Sequence, residues 1–464
     1  MSWHWDIKEI AHAQDPVRPS AWVYVGIILI IGLIGAIVVI MEWPSGKAAM
    51  TREFVQQAFL LPLLISIFSC CMVAYFAVDS PDKANRFWNA MCQQRWLHWS
   101  NWTRDHVAVL GSMVLTPEKE IAERMLGLEG AAPNNSGKAL ALELSGAVGT
   151  SRLAIVLEQL LTPFVSAIPQ LSQRGDFEIV LQTGLETDLT ELRRVMRKFS
   201  LPDHLNVSWV AAAAVAPMDM LWSAGPFSGT RLILASQLHD GSDAPTVSEL
   251  GVALVLMAPD ILDRMPTIRP RAYLYRPIMT EADDVEEALP KLLGAEQVPI
   301  KRIRHLWFTR LDKRARHAVA TAAKHDALSI AAQDLDRALG EPGHANGWAV
   351  QALAVQMVWH GQGAQLIASP CAGGMALNIA GPKPTSVREA PPEPSLLSIS
   401  LLWAAGTSAL MLFVFLLDRL AQGRDPYVPW WGYLLYWLAL QAVQVIGALV
   451  HRRMLSNQFE AIYY

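Results

Sequence analysis

The sequence predicts an α/β domain inserted between two pairs of transmembrane helices. Hydrophobic residues make up 52% of the chain and the mean hydropathy is positive, which is high for a purely soluble protein. Four long uncharged stretches lie in two pairs, one pair towards each end of the chain. Between the pairs, short apolar runs alternate with amphipathic stretches of helical period, a pattern typical of α/β proteins.

The first pair of apolar stretches predicts a transmembrane hairpin over 21–78, preceded by an N-terminal tail at 1–20. Residues 21–41 carry no charge and are long enough to cross a bilayer as a helix. Residues 54–78 form the second uncharged run, in which Pro62 is tolerable because membrane helices accommodate kinks. The first run is too long for a cleaved signal peptide, so we expect it to stay in the protein.

The second pair predicts another hairpin over 396–450. Its two apolar runs are 396–417 and 429–450, and residues 451–464 follow as a C-terminal tail. The hairpin is preceded by 381–395, GPKPTSVREAPPEPS, whose proline content predicts an extended tether.

The distribution of charge predicts the orientation. Four spans place both termini and the large domain on one side of the membrane. Near the spans, that side carries nine Lys and Arg residues, and the other side carries four. The positive-inside rule therefore predicts that the domain lies in the cytoplasm. We expect a multi-pass protein of a bacterial inner membrane. The four cysteines are too few for a disulfide framework, which agrees with a reducing compartment.

Residues 83–104, after the second predicted span, are rich in tryptophan. Trp88, Trp96, Trp99 and Trp102 recur at helical spacing with arginines between them. Because amphipathic rings prefer the headgroup region, the pattern predicts an interfacial helix lying on the membrane. The alternative is a helix that faces the core of the soluble domain, although four tryptophans in one core stripe would be unusual.

Residues 105–380 form the predicted α/β domain. Apolar runs bounded by turn formers predict strands over 106–115, 177–182, 206–215, 231–236, 251–257, 271–276, 303–309, 365–369 and 374–379. Amphipathic period predicts helices over 152–170, 187–199, 281–294, 312–325 and 347–361. Residues 128–149, rich in Gly, Ala, Asn and Ser, predict a loop.

Several kinds of site are absent from the sequence. It contains no phosphate-binding glycine loop with its lysine, no Gly-x-Ser-x-Gly elbow and no Cys-x-x-Cys pair. The histidines lack metal-ligand spacing; His317 and His325, for example, are two helical turns apart, too far for one ion. The net charge of −4 gives no basis for nucleic-acid binding. We therefore predict no metal, no cofactor and no nucleic-acid partner.

Two short motifs do suggest an active site. The stretch GHANG, beginning at Gly343, opens an apolar helix, and the stretch CAGG, beginning at Cys371, lies between two predicted strands. In order and approximate spacing these motifs resemble the thiolase superfamily, which includes the ketoacyl synthases. The resemblance covers about 106–380, with specific motifs only in 340–379. It implies a thiolase-like fold in which His344 and Cys371 occupy the positions of the active-site histidine and second cysteine.

The same resemblance implies a missing nucleophile. In thiolases a reactive cysteine begins a buried helix after the third strand, where the helix N-terminus and a histidine lower its pKa. The matching stretch here, Ala216–Gly229, has no cysteine, and its hydroxyls, Ser223 and Ser228, have no evident activating base. The second histidine of the ketoacyl synthases also has no counterpart after 303–309. Without that nucleophile the family's acyl transfer cannot take place, so the resemblance implies a thiolase-like pseudoenzyme. We then expect His344 to be a hydrogen-bonded histidine at a helix start and Cys371 to be a small buried residue in a glycine turn.

These features lead to one expected function and two alternatives. We expect a membrane-anchored, non-catalytic adaptor that binds a protein partner, for example in effector loading by a secretion system such as type VI, and that forms a homodimer by analogy with thiolases. One alternative is a membrane-bound acyltransferase, the only case that requires acyl-CoA. The other is an immunity protein against a membrane-acting toxin. The basic stretch Arg302–Arg316 is either a solvated face or a contact for anionic lipid.

Overall fold

The computed structural model describes residues 4–7, 11–46, 48, 51–145, 149–173, 175–223, 225, 227–239, 245–326, 328, 330–383, 400–422 and 428–463. Contacts within the chain divide it into two compact units. One contains Met1–Asp6 and Trp99–Arg388, and we call it the sheet unit. The other contains Ile7–His98 and Glu389–Tyr464, and we call it the helical unit.

The helices and strands are numbered in chain order. The helices are α1 (Ala21–Glu42), α2 (Arg52–Thr103), α3 (Ile121–Met125), α4 (Arg152–Leu161), α5 (Ile168–Ser172), α6 (Asp188–Lys198), α7 (Pro217–Trp222), α8 (Pro259–Asp263), α9 (Val285–Gly294), α10 (Lys313–His325), α11 (Leu335–Leu339), α12 (Asn346–Trp359), α13 (Leu401–Gln422) and α14 (Trp430–Tyr463). The strands are β1 (His106–Leu115), β2 (Phe177–Thr183), β3 (Asn206–Ala211), β4 (Thr230–Gln237), β5 (Leu250–Met257), β6 (Ala272–Tyr275), β7 (Ile278–Thr280), β8 (Ile303–Phe308), β9 (Ala331–Asp334), β10 (Ala364–Cys371) and β11 (Gly374–Gly381).

Helices α1, α2, α13 and α14 are each long and apolar enough to cross a membrane. Small residues allow close approach between them, a feature typical of helices that pack in membranes. A Cβ on Gly35 of α1 would lie 2.2 Å from Cγ of Pro62 in α2. Between α13 and α14, the amide of Gln441 donates a hydrogen bond to Oγ1 of Thr407 at 2.8 Å.

Helix α2 differs from the prediction. The second predicted span and the predicted helix at 83–104 are parts of one continuous helix of 52 residues. Two π-helical segments, Gln56–Leu60 and Tyr75–Asp79, precede Pro62 and Pro81 within it. Proline has no backbone N–H, so it leaves one helical hydrogen bond unmade. The wider π-helical turn tolerates this missing bond, which explains why neither proline ends the helix.

The C-terminal hairpin also needs correction. Helix α14 continues to Tyr463, so the residues predicted as a tail at 451–464 are helical as far as they are described. Of the tether predicted over 381–395, everything from residue 384 onwards lies outside the described residues.

The sheet unit is built from two halves with the same strand order. The eleven-stranded sheet runs β3-β2-β4-β5-β1-β6-β11-β10-β8-β9, with β7 beside β11. The first half contains β1 to β5, and the second half contains β6 and β8 to β11. When the strands of each half are counted in chain order, both halves run from the outer edge of the sheet to its centre in the order third, second, fourth, fifth, first. Parallel pairs join β2 to β3 and β4, and β8 to β9 and β10. The first strands of the halves, β1 and β6, pair antiparallel, so an approximate twofold axis relates the halves.

Helix α12 occupies the centre of the sheet unit. Alternate residues of the strands face α12. Ile233 and Ala235 of β4 belong to the same buried hydrophobic cluster as α12, whereas Leu232 and Leu234 belong to the hydrophobic cluster on the opposite face of the sheet. Twelve of its fourteen residues are buried. An apolar sequence on all sides of a helix is typical of such a position.

Most predicted elements of the sheet unit are confirmed, with several differences, among them the unpredicted short helices α3, α8 and α11. All nine predicted strands are present, and the structure adds the short strands β7 and β9. The strand predicted over 206–215 ends at Ala211. The helix predicted over 152–170 is divided into α4 and α5 by a 3₁₀ turn at Thr162–Phe164, because Pro163 cannot donate the next helical hydrogen bond.

Candidate functional site

Three segments that the sequence analysis identified lie close together in the sheet unit. They are α7, the start of α12, and the turn between β10 and β11. A Cβ on Gly347 of α12 would lie 2.9 Å from Cγ of Pro217 in α7. In the same region, Oδ2 of Asp219 in α7 accepts a hydrogen bond from the backbone N–H of Ala372 at 2.8 Å. The fold therefore brings the two motifs to the stretch where a nucleophile is expected.

His344 is held by the strand next to it. Its Nε2 lies 3.1 Å from the carbonyl oxygen of Ser236 in β4. A carbonyl oxygen only accepts, so Nε2 carries the hydrogen and donates it. Burial lowers the pKa of His344, and the charge of Arg310 lowers it further, against an opposing effect of the bond to Ser236. The imidazole is therefore neutral at pH 7, and its Nε2–H is used within the fold.

The turn around His344 is fixed by two amide side chains that the sequence analysis did not identify. Nε2 of Gln237 donates to the carbonyl of Ser248 at 2.6 Å and to Oδ1 of Asn346 at 3.0 Å. Oε1 of Gln237 accepts from the backbone of Ala345 at 2.9 Å. Gly343 is required here, since a Cβ would lie 2.4 Å from Oε1 of Gln237. The glycine of the GHANG motif thus has a packing role.

Cys371 is half-buried at the end of β10. Burial raises the pKa of its thiol, and the carboxylate of Asp219 raises it further, while a backbone hydrogen bond from Gly373 lowers it. A thiol rather than a thiolate is therefore the main form at neutral pH. Because the thiolate is the nucleophilic species, the surroundings of Cys371 suppress its reactivity.

A nucleophile is expected in the stretch Ala216–Gly229. The described residues of this stretch before Ser223 include no cysteine, serine or threonine. Helix α7 has only six residues, PMDMLW, and Met218, Leu221 and Trp222 are buried. Ser223 lies at its C-terminal end. Ser228 lines a separate cavity of about 430 Å³ at the N-terminal ends of β2, β3 and β4.

Two of the four tryptophans belong to the sheet unit. The ring centroids of Trp102 and Trp5 are 5.8 Å apart, and the guanidinium of Arg276 lies 4.6 Å from the Trp102 ring. Trp99 donates a hydrogen bond from Nε1 to the carbonyl of His4 at 3.2 Å. Trp102 and Trp99 thus each contact residues of the sheet unit, and whether they also lie at a membrane surface stays a prediction.

The other two tryptophans lie in the helical unit. Trp88 packs edge-to-face on Phe459 of α14, with centroids 5.4 Å apart, and donates to the carbonyl of Ala11 at 3.2 Å. Trp96 is 42% exposed. A position of Trp88 and Trp96 at a membrane surface stays a prediction.

The described residues contain no group of three or more His, Cys, Asp and Glu side chains that could hold a metal ion.

No protein-family model matches the chain, and no curated protein matches it in sequence. Among solved structures it is similar to a type II polyketide synthase acyl-carrier protein in complex with its ketosynthase (AntDE:AntF), with 13% identity and a TM-score of 0.43 over 60% of this chain and 99% of that chain. It is also similar to acetamide-bound OleA of Xanthomonas campestris, with 11% identity and a TM-score of 0.38 over 60% and 98%.

A third similar structure is human mitochondrial 3-ketoacyl-CoA thiolase in complex with CoA, with 10% identity and a TM-score of 0.38 over 60% and 98% of the two chains. TM-scores below 0.5 do not establish a common fold by themselves.

Proposed function

We propose that the chain is a membrane-anchored, non-catalytic protein whose sheet unit is a thiolase-like scaffold for binding protein. Support for the thiolase-like assignment comes from the internal duplication and from the positions of the motifs. The GHANG stretch opens the central helix α12, and the CAGG stretch forms the turn between β10 and β11. Both are the positions that the resemblance implies.

The observation that carries the non-catalytic part is the hydrogen bond from the backbone of Ala372 to Asp219. It places a carboxylate beside Cys371, at the start of the helix where the family has its nucleophile. A negative charge there disfavours a thiolate. It also disfavours the oxyanion of the tetrahedral intermediate that forms when a thioester is attacked. Acyl transfer needs hydrogen-bond donors and positive potential at this point. The donor of His344 is already used by Ser236.

One of the two edges of the sheet, strand β3, supports the binding part. Strand β3 pairs with β2 and, among the described strands, has no second neighbour. The N–H of Ala212 bonds to the carbonyl of Thr183 in β2. Because N–H groups alternate along a strand, those of Val207, Trp209 and Ala211 point towards the open side. Such an edge is a template for a strand of a second copy or of another protein.

Proline at Val207 tests this edge. Val207→Pro is expected to remove an outward-facing donor without breaking the pairing with β2, and to shift the full-length protein in detergent from dimer to monomer. Light scattering coupled to size exclusion measures the mass. Val207→Ala, which keeps the N–H, is the matched control and should remain dimeric.

Two results would contradict the proposal for this edge. One is a monomeric wild-type protein that also recovers no strand-donating partner from native membranes. The other is a dimer that Val207→Pro leaves unchanged.

We also propose a cytoplasmic location for the sheet unit at a bacterial inner membrane. The distribution of Lys and Arg around the four candidate spans supports this orientation. An effector-loading or accessory role in a secretion system is one setting for an anchored scaffold of this kind.

A further inference from the structure

The sheet unit has a concave site at the place where the chain enters and leaves it. The cavity, of about 650 Å³, is lined by residues 296–302 together with Pro382 and Lys383. Residues 296–302 connect α9 to β8, and Pro382 and Lys383 directly follow β11. No residue of the two sequence motifs contributes to the lining.

Residues that line this cavity form hydrogen bonds where the chain enters the sheet unit and where it leaves it. On the entry side, Nε2 of Gln297 donates to the carbonyl oxygen of Thr103, the last residue of α2, at 2.6 Å. On the exit side, the hydroxyl of Tyr275 donates to the carbonyl oxygen of Lys383. Helix α2 contains the second candidate span, and the third candidate span begins at Leu401, shortly after Lys383 in the sequence. The cavity therefore lies on the part of the sheet unit that carries both links to candidate membrane spans.

The lining of the cavity is positively charged. Lys301, Arg302 and Lys383 have exposed side chains, and none forms an ion pair with any described residue. The one carboxylate of the lining, Glu296, lies 3.1 Å from Nη2 of Arg104, so its charge is balanced. Three cations remain to attract an anion.

The same lining presents apolar surface beside the cations. Ile300 is 45% exposed, next to Lys301 in the sequence, and Val298 forms a buried part of the wall. An apolar surface next to several cations matches a phospholipid, whose acyl region adjoins an anionic headgroup. Free phosphate would use the cations alone.

We propose that this cavity binds an anionic phospholipid, with Lys301, Arg302 and Lys383 around its headgroup phosphate and Ile300 against its acyl region. The rest of the predicted basic stretch does not share this role. Further along, Arg314 pairs with Asp283, and Arg316 pairs with Asp334. Only the first residue of the stretch, Arg302, lines the cavity.

The test is native mass spectrometry of the full chain in neutral detergent, titrated separately with phosphatidylglycerol, phosphatidylcholine and inorganic phosphate. Wild-type protein is expected to retain phosphatidylglycerol in preference to the other two. The triple variant Lys301→Gln, Arg302→Gln, Lys383→Gln is expected to bind phosphatidylglycerol at least about tenfold more weakly, since each cation near an anionic surface contributes separately.

A matched control removes the same charge elsewhere. Lys119, Lys313 and Lys324 are exposed and lie outside the cavity lining, and the triple variant Lys119→Gln, Lys313→Gln, Lys324→Gln should bind phosphatidylglycerol as the wild type does. Equal binding of the two lipids, or equal losses in both triple variants, would overturn the proposed site. Binding of inorganic phosphate as tight as that of phosphatidylglycerol would overturn the assignment to lipid.

Discussion

Replacing Trp348 with alanine is expected to destabilise the sheet unit by about 3–5 kcal/mol, the usual cost of truncating a fully buried tryptophan. Trp348 lies in α12 with 0% exposure. Its Nε1 donates a 2.7 Å hydrogen bond to Oε1 of Gln182 in β2, so the substitution also leaves that acceptor without its partner. Because α12 packs against strands of both halves, the loss should be transmitted to the whole sheet.

The same helix offers a matched control. Trp359 ends α12 and is 54% exposed, so Trp359→Ala should change stability by far less. Hydrogen exchange of the full chain in detergent, read on peptides from β4 and β10, measures both effects. Similar protection in the two variants would contradict the position of α12 as the central core helix.

Replacing Glu249 with alanine is expected to cost about 2–4 kcal/mol, because it removes the acceptor of two backbone N–H groups. Glu249 is fully buried and accepts from the N–H of Leu142 at 2.7 Å and of His239 at 2.8 Å. It also pairs with Arg152, whose half-exposed side chain adds little because water screens it. Peptides covering 138–142 and β5 should lose protection first. Glu186→Ala, at an exposed position, is the control.

The effect of Glu249 should depend on pH in one direction. Burial alone raises the pKa of this carboxyl, but the hydrogen bonds from His239, Leu142 and Arg152 outweigh it, so the pKa lies below its ordinary value of 4.5. The stability contributed by the ionised form is therefore present above pH 4.5 and is lost as the pH falls through the lowered pKa. The stability difference between wild type and Glu249→Ala should shrink in that range. A difference that grows on acidification would contradict this account.

The elements that the sequence predicted well are those with a strong local pattern. The apolar runs of β4 and β5 and the all-round apolar sequence of α12 specify buried strands and a buried helix without reference to the rest of the chain. The four candidate spans are equally local. By contrast, the continuity of α2 depends on π-helical segments before Pro62 and Pro81, which no simple periodicity indicates.

The site was predicted less completely because its contacts are remote in sequence. The positions of His344 and Cys371 followed from two short motifs. The roles of Asp219 and Gln237 did not, since their partners Ala372 and Ala345 are more than a hundred residues away. A lone aspartate at a helix start normally indicates only a favourable interaction with the helix dipole. Its contact with the Cys371 turn needed the three-dimensional structure.

Our central proposal is that the site formed by α7, the start of α12 and the turn between β10 and β11 does not accept an acyl group. Intact-mass and peptide mass spectrometry of the full-length protein after incubation with acetyl-CoA and a long-chain acyl-CoA tests it, with a thiolase assayed in parallel as the positive control. We expect the thiolase to acquire an acyl group and this protein to acquire none, with no release of CoA. An acyl adduct on Cys371 that disappears in Cys371→Ala would contradict the claim.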